Sequence, residues 1–268
     1  MEQQAKEQQA AKWDHIEVEK NPQRKTATII LNRPEKMNTL SFLGRSHLNQ
    51  IFEELNRDDD VRVIILKGAG TKAFSSGGTI SQFMERHPEE LSVLHKNVAA
   101  PDRSPKPVIA QLQGYTFGVG LEIAMACDFR VASDTTLLAL PEIRLGMIPG
   151  SGGTQRIARI AGLGRAKDMI MRGRRIPADE AYQWGLLTTV VPQEQLEEAV
   201  QSLVDELLQF SPLALRVLKQ VLNASQEGPL SAGLEIEGYA YGMLRSTEDF
   251  REGVEAFNEK RKPNFVGR

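Results

Sequence analysis

The sequence is poor in the residues that build disulfides, metal sites and nucleic-acid surfaces. Its 268 residues include one cysteine, so an internal disulfide bond is impossible. Cys127 lies in the apolar run AMACDF, which favours a small buried side chain over a nucleophile. The formal net charge is −2, which provides no basic field for nucleic acid or an anionic membrane surface. We also expect no metal site, because the four histidines are scattered without HExxH or CxxC spacing: His15, His47, His87 and His95.

Long apolar runs are missing as well. No run approaches the roughly 20 residues that a membrane-spanning helix needs. The opening stretch, MEQQAKEQQAAK, lacks the apolar centre of a signal peptide. We therefore expect a cytoplasmic protein, with residues 1–12 forming a frayed helix or a disordered tail.

Several common catalytic motifs are absent. None of the glycine clusters follows the GxxxxGK[ST] pattern of a phosphate-binding loop. Gly118-Val119-Gly120 lacks the third glycine of a dinucleotide fingerprint and the later acidic ribose ligand. There is no GxSxG nucleophile elbow. These absences argue against nucleotide hydrolases, Rossmann dehydrogenases and ordinary serine hydrolases.

The periodicity that is present predicts an α/β core. Apolar, β-branched runs at 16–20, 26–32, 61–68 and 107–114 predict strands. The apolar spacing of 41–57 predicts a helix, with Ser41 as its cap. Strands that alternate with helices favour largely parallel pairing. With 41% hydrophobic residues, the chain can bury a sizeable core.

The last quarter of the sequence changes character. From Gln193 onward the strand patterns stop, and four segments with helical apolar spacing follow at 196–210, 212–223, 230–244 and 249–261. Four consecutive amphipathic helices need a surface to pack on, and a partner subunit is one candidate. We divide the chain into the tail at 1–12, a core with the active site at 13–192, and a helical region at 193–268.

Two glutamates lie in unusually apolar surroundings. Glu122 occurs in FGVGLEIAMACDF and Glu142 in LLALPEIRLGMIPG, and burial of this kind shifts the pKa of a carboxyl group. Taken alone, Glu122 could favour a helix N-terminus, and Glu142 could form a salt bridge with Arg144 or Arg156. Glycines that expose the backbone adjoin both glutamates, as an oxyanion site with paired acid–base groups requires.

Five segments carry a family resemblance. They occur in family order: ILNRPEKMNTL (30–40), KAFSSGGTI (72–80), KPVIAQLQGYTFGVGLEIAMACDFRVAS (106–133), LPEIRLGMIPGSGGTQR (140–156) and EDFREGVEAFNEKRKPNF (248–265). The resemblance itself covers essentially residues 13–268. The sequence thus closely resembles the enoyl-CoA hydratase/isomerase, or crotonase, family. The resemblance implies an α/β fold of stacked ββα turns. It also implies that the C-terminal helices form a homotrimer, often paired into a dimer of trimers.

The resemblance also implies a reaction and its catalytic groups. Relatives act on acyl-CoA thioesters, with coenzyme A as part of the substrate and no separate cofactor. The backbone N–H groups of Gly78 and Val119 would form the oxyanion hole. Hydratases of the family carry both glutamates, as here, which predicts reversible syn addition of water across the 2,3 double bond of a 2-enoyl-CoA. Glu142 would transfer the proton, and Glu122 would hold the water.

Further positions match family contacts to the substrate. Lys36 and Met37 lie in the motif that lines the CoA entrance in relatives, although Lys36, like Lys260 in the C-terminal region, could equally be a solvated charge. The remaining positions are Ser76, Gly78, Thr79, Ile80, Tyr115 and Gly118, together with Tyr241 and Lys260, which would come from the neighbouring subunit.

Two departures leave alternatives open. The chain has SGGT at 76–79 where many relatives have AGAD, and Val119 where many have a third glycine. Both retain a backbone donor but could reshape the acyl pocket. The alternatives are a Δ3,Δ2-enoyl-CoA isomerase, a hydratase of a cyclic or aromatic acyl-CoA, and an inactive crotonase-fold binding protein.

Overall fold

The computed structural model describes residues 13–268, and the tail expected at 1–12 lies outside the described residues. The chain divides into two compact units. The larger comprises the described residues up to Ser104 together with Val108–Val200. The smaller comprises Pro105–Pro107 and Gln201–Arg268. Among residues 13–268, no helix combines the length and apolar character needed to cross a membrane.

The strands of the larger unit form two sheets. The six-stranded sheet has the order β1-β2-β3-β5-β7-β10, and the four-stranded sheet has the order β4-β6-β8-β9. Pairing is parallel except for β1 with β2 and β8 with β9. The described strands are β1 Ile16–Asn21, β2 Thr26–Leu31, β3 Val63–Gly68, β4 Ala73–Ser75, β5 Val108–Leu112, β6 Tyr115–Phe117, β7 Phe129–Ser133, β8 Leu137–Ala139, β9 Ile176–Pro177 and β10 Thr189–Val191.

Residues 13–268 also contain twelve α-helices and four 3-10 turns. The helices are α1 Phe42–Asn56, α2 Pro88–Ser92, α3 His95–Val98, α4 Ala100–Arg103, α5 Val119–Ala126, α6 Gly153–Ala161, α7 Leu163–Met171, α8 Ala178–Gln183, α9 Leu196–Leu207, α10 Pro212–Ala224, α11 Leu230–Leu244 and α12 Glu248–Glu259. The 3-10 turns are Pro34–Lys36, Ile80–Glu85, Glu142–Leu145 and Gln193–Gln195.

The larger unit contains repeated ββα segments. In such a segment the chain forms a strand of the six-stranded sheet, then a strand of the four-stranded sheet, and then a helix. The segment from β5 through β6 to α5 is the clearest example. The chain bends between the two strands at Gly114, whose φ is +55° and whose Cβ, if present, would stand 2.0 Å from the Lys72 carbonyl oxygen. Only glycine fits such a bend. The predicted α/β fold of stacked ββα turns is therefore confirmed.

Several predicted segments are longer than the elements observed: the strand predicted at 61–68 begins at Val63, and the helices predicted at 196–210 and 249–261 end at Leu207 and Glu259. The strand predicted at 107–114 ends at Leu112, because the bend at Gly114 redirects the chain into the second sheet. Ser41 caps α1 as predicted, with its Oγ accepting a hydrogen bond from Gly44 N at 2.9 Å. Cys127 is buried and its thiol points to the Ile123 carbonyl oxygen, in keeping with a structural role.

The smaller unit is helical, which confirms the predicted helical C-terminal region. Buried Asp249 at the start of α12 organises it by accepting hydrogen bonds from Ser211 Oγ at 2.5 Å, Val266 N at 2.8 Å and Gly267 N. The carboxylate thereby connects the start of α10 to the C-terminal residues. No residue of α11 is buried in the isolated chain.

Candidate active site

Two glycine-containing loops of the larger unit meet at the candidate site. Gly77 follows β4, and Gly118 follows β6. A Cβ built on Gly118 would lie 3.6 Å from Gly77 Cα, so the two backbones are in direct contact. Gly118 has φ 52° and ψ −131°, a conformation that side chains other than glycine's rarely allow. The glycine pattern thus brings Gly78 and Val119, one residue further along each loop, close together.

The backbone N–H groups of these two residues are free to bind a ligand. No residue within 13–268 accepts a hydrogen bond from Gly78 N or Val119 N. Val119 is the first residue of α5, where an N–H has no carbonyl partner within the helix. The helix dipole adds partial positive charge at the same point. Two adjacent free donors of this kind are what an oxyanion hole requires.

Glu122 is held rigidly on α5. Its side chain is 2% exposed, and Oε1 accepts hydrogen bonds from Ser151 N at 2.7 Å and Gly153 N at 2.9 Å. Burial raises the pKa of Glu122, while these hydrogen bonds and the charge of Arg45 oppose the rise. The loop that precedes α6 therefore fixes one carboxylate oxygen of Glu122.

Glu142 approaches from the 3-10 turn Glu142–Leu145. A Cβ on Gly118 would lie 3.1 Å from its Oε1, so the carboxyl group is beside the residue that precedes Val119. Its Oε2 is buried without a partner among the described residues. The salt bridges considered from the sequence do not form, because Arg144 donates to the Gly173 carbonyl oxygen and Arg156 to Asp102. Burial, with the charge of Glu122, raises the pKa of Glu142 to about 7.

One charged residue of the site, Arg45 on α1, was not predicted from the sequence. Its guanidinium is buried and interacts electrostatically with both Glu122 and Glu142. Burial lowers the pKa of Arg45 to about 10. The available signal was its position three residues after Phe42 and three before Leu48, on the apolar face of the predicted helix. An arginine on that face must be buried.

The two segments expected to contact CoA are joined by backbone hydrogen bonds. Ser76 N donates to the Met37 carbonyl oxygen at 2.9 Å, Leu40 N to that of Gly77 at 2.9 Å, and Thr79 N to that of Leu40 at 3.1 Å. Behind them, buried Asn38 donates to the carbonyl oxygens of Ala69 and Ala73. The loop containing Lys36 and Met37 is thus part of the wall that carries Gly78.

The other expected contact residues vary in exposure. Lys36, Met37 and Ile80 are exposed near these loops, while Ser76 and Thr79 are half-buried. The half-buried ring of Tyr115 lies 5.1 Å from the Phe117 ring on the strand that leads to Gly118. Tyr241 and Lys260 are exposed in the smaller unit, and their assignment to a neighbouring subunit's site stays a prediction.

The arrangement can perform acid–base chemistry next to a developing oxyanion. Two carboxyl groups with raised pKa values adjoin two free N–H donors and one buried cation. Within residues 13–268, no group of three or more His, Cys, Asp or Glu side chains could hold a metal ion. The charged side chains of the candidate site are the two glutamates and Arg45.

Comparisons with known proteins match one family over most of the chain. The family model "Enoyl-CoA hydratase/isomerase" matches residues 22–268. The short-chain-enoyl-CoA hydratase of Clostridium acetobutylicum is 36% identical, over 89% of this chain and 93% of that protein. The crotonyl-CoA hydratase of Syntrophomonas wolfei is 35% identical, over 96% and 99%. A crystal structure of enoyl-CoA hydratase from Bacillus anthracis superposes with a TM-score of 0.89, at 37% identity, covering 95% of this chain and 100% of that one.

Proposed function

Because the chain belongs to the enoyl-CoA hydratase/isomerase family, we propose that it is an enoyl-CoA hydratase. It would add water reversibly and with syn geometry across the 2,3 double bond of a 2-enoyl-CoA, to give a 3-hydroxyacyl-CoA. The observation that carries the proposal is the pair of carboxyl groups, Glu122 and Glu142, beside the free N–H groups of Gly78 and Val119.

The proposed reaction uses each of these groups. The thioester oxygen accepts hydrogen bonds from the two N–H groups. The hydroxyl of a water held by the carboxyl pair bonds to C3, and the proton of that water passes to the pair. The C2=C3 electrons move to form a thioester enolate, whose oxygen carries the charge. Glu142 then delivers a proton to C2, and the enolate collapses to the 3-hydroxyacyl thioester.

The substrate would enter as its CoA thioester, so that no resident cofactor is needed. We assign the CoA entrance to the exposed segment of Lys36 and Met37 and to the loop from Ser76 to Ile80, which the backbone hydrogen bonds described above join together. Tyr115 would border the acyl group on the approach to Gly118. Most contacts from these loops would involve backbone groups.

Hydration and isomerisation are separated by the fate of solvent oxygen. With two carboxyl groups to hold one water, the enzyme is expected to place oxygen from oxygen-18 water at C3 of the product. An isomerase needs one base and moves only a proton between carbons. Mass spectrometry of the product formed from a 2-enoyl-CoA measures the label directly.

The matched control is Glu122→Ala, which removes the residue that would hold the water and should lose labelled product. Rapid conversion of 3-enoyl-CoA to 2-enoyl-CoA without any hydroxyacyl species would show that the chain is an isomerase. A wild-type enzyme that neither hydrates nor isomerises a panel of acyl-CoA thioesters would favour the non-catalytic binding protein.

The smaller unit gives a prediction about assembly. Exposed apolar side chains run along α11: Leu230, Leu234, Ile236, Tyr239, Tyr241 and Met243. A monomeric protein rarely exposes so many apolar groups on one helix. We expect light scattering to give three, or a multiple of three, times the mass of one chain.

Charged variants of α11 make the assembly test specific. Leu234→Asp is expected to give assemblies of lower mass, because it places a charge on the apolar surface of α11 that another subunit would cover. The core of one chain should be unaffected, since Leu234 is exposed in the single chain. Glu235→Gln, one position along, is the control and should leave the mass unchanged. A stable, active monomer of the unaltered protein would contradict the prediction.

A further inference from the structure

Arg45 is a buried cation with at least one donor that has no partner among the described residues. The residue is 2% exposed, and Nε is buried with no hydrogen-bond partner among residues 13–268. The guanidinium carbon lies 4.9 Å from the centroid of the Phe42 ring and 5.5 Å from that of Phe83. Cation–π contacts with aromatic rings offset only part of the free energy needed to remove a charge from water. A buried guanidinium without an ion pair calls for another explanation.

The position of Arg45 relative to the proposed oxyanion hole supplies an explanation for its burial. A Cβ built on Gly78 would lie 2.3 Å from Arg45 Nη2. Since a carbon–carbon bond adds about 1.5 Å, this nitrogen is within roughly 4 Å of Gly78 Cα. The guanidinium therefore lies directly against the residue whose N–H would face the thioester oxygen.

The charges that face Arg45 come from two other elements. Glu122 on α5 and Glu142 in its 3-10 turn both interact with it electrostatically, but neither forms a salt bridge or a hydrogen bond with it. Arg86 shares the Phe42 ring, at 5.2 Å from its centroid, and pairs with Glu90. Arg45 is thus in contact with the Gly78 loop and is more loosely coupled to the carboxyl groups.

The proposed reaction moves negative charge from the carboxyl pair to the thioester oxygen, which would lie beside Gly78. As the water proton passes to the carboxyl pair, the charge passes from a carboxylate to the thioester oxygen. A fixed cation speeds this step only if it stabilises the enolate more than the starting carboxylate. A guanidinium that contacts the Gly78 loop, but hydrogen-bonds to neither glutamate, is placed to act on the enolate oxygen.

We propose that Arg45 is a positioning residue that fixes a positive charge behind the Gly78 N–H and thereby stabilises the enolate and sets how the two glutamates share a proton. This inference rests on the proposed function. It accounts for an arginine on the apolar face of α1, where a hydrophobic residue would pack at lower cost.

The test compares three variants. Arg45→Met retains length and packing but removes the charge, and kcat is expected to fall about tenfold to a hundredfold with little change in KM. Arg45→Lys is expected to restore part of the loss. Arg86→Met removes an exposed charge from the same aromatic ring and should leave kcat unchanged. Thermal unfolding of Arg45→Met should occur at or above the wild-type temperature, because a buried charge is replaced by an apolar group.

Titration of Glu142 provides a readout that does not depend on turnover. Infrared difference spectra of the protonated carboxyl band that Glu142→Gln removes would follow this group. Removing a nearby cation should move the pKa of Glu142 upward from about 7 in Arg45→Met and leave it in place in Arg86→Met. If the chain isomerises rather than hydrates, the proposed function fails, yet this upward shift is still expected.

An unchanged Glu142 titration in folded Arg45→Met would overturn the inference. So would a kcat equal to that of wild type, or an equal loss of kcat in Arg45→Met and Arg45→Lys. Each of these results would leave the hydratase proposal standing, because it depends on the glutamates and the N–H groups.

Discussion

Replacing Glu142 by Gln is expected to lower kcat for hydration of a 2-enoyl-CoA by about 10²- to 10⁴-fold. The amide has the shape of the carboxyl group but cannot deliver a proton to C2. Since Glu142 Oε1 adjoins Gly118 and Oε2 has no partner in the described residues, the substitution disturbs few existing contacts. Loss of conjugated enoyl absorbance measures the rate. Near-wild-type activity would remove Glu142 from the mechanism.

The pH dependence of stability checks that this carboxyl group is buried as described. The pKa of Glu142 is raised from 4.5 to about 7, so the folded state binds a proton more tightly than the unfolded chain. Glu142 therefore contributes a loss of stability as the pH rises from 4.5 through about 7, and Glu142→Gln lacks that contribution, although the raised pKa of Glu122 acts in both proteins. The unfolding temperature of the variant relative to wild type should rise between pH 5 and pH 8.

Glu122→Gln is expected to be comparably slow, and the combination with Glu142→Gln should show how the pair works. Residues that act as a unit have strongly non-additive effects, so the double variant should be about as slow as either single one. The side chain of Glu122 is more constrained than that of Glu142, because Ser151 N and Gly153 N both donate hydrogen bonds to its Oε1. The amide must therefore keep its oxygen toward these donors.

Val119→Pro is expected to lower kcat by about 10²- to 10³-fold, because it deletes one N–H donor of the proposed oxyanion hole. Val119 is the first residue of α5, where proline is well tolerated and the N–H has no partner in the helix. The residue before it is Gly118, which has the backbone freedom that a position before proline demands. The backbone change should thus act on catalysis more than on folding.

Val119→Ala is the matched control, since it shortens the same buried side chain and keeps the N–H. It should retain most of the activity and show a somewhat lower unfolding temperature. KM should change less than kcat in Val119→Pro, because the missing donor acts mainly when charge develops on the oxygen. If the proline and alanine variants are equally active, the Val119 N–H is not part of the oxyanion hole.

Much of the molecule was predictable because its signals are local. The helix over Phe42–Asn56 follows from apolar spacing and the Ser41 cap, and both glutamates stood out from their apolar neighbours and adjoining glycines. The order of five segments along the chain was enough to identify the family. Three of the four strands in the smaller sheet have three residues and the other has two, so they are too short to show any periodicity.

By itself, the sequence determined the fold class, the family and the two carboxyl groups, because each depends on residue types at short spacing. Only the tertiary structure decided which groups meet. Arg45 contacts Gly78 from 33 residues away in the chain, and Ser151 and Gly153 fix the Glu122 oxygen from 29 and 31 residues away. Contacts at such separations depend on how the helices pack on the stacked sheets. Such contacts leave no periodic pattern in the sequence, so the buried cation beside Gly78 becomes visible only once the chain is folded.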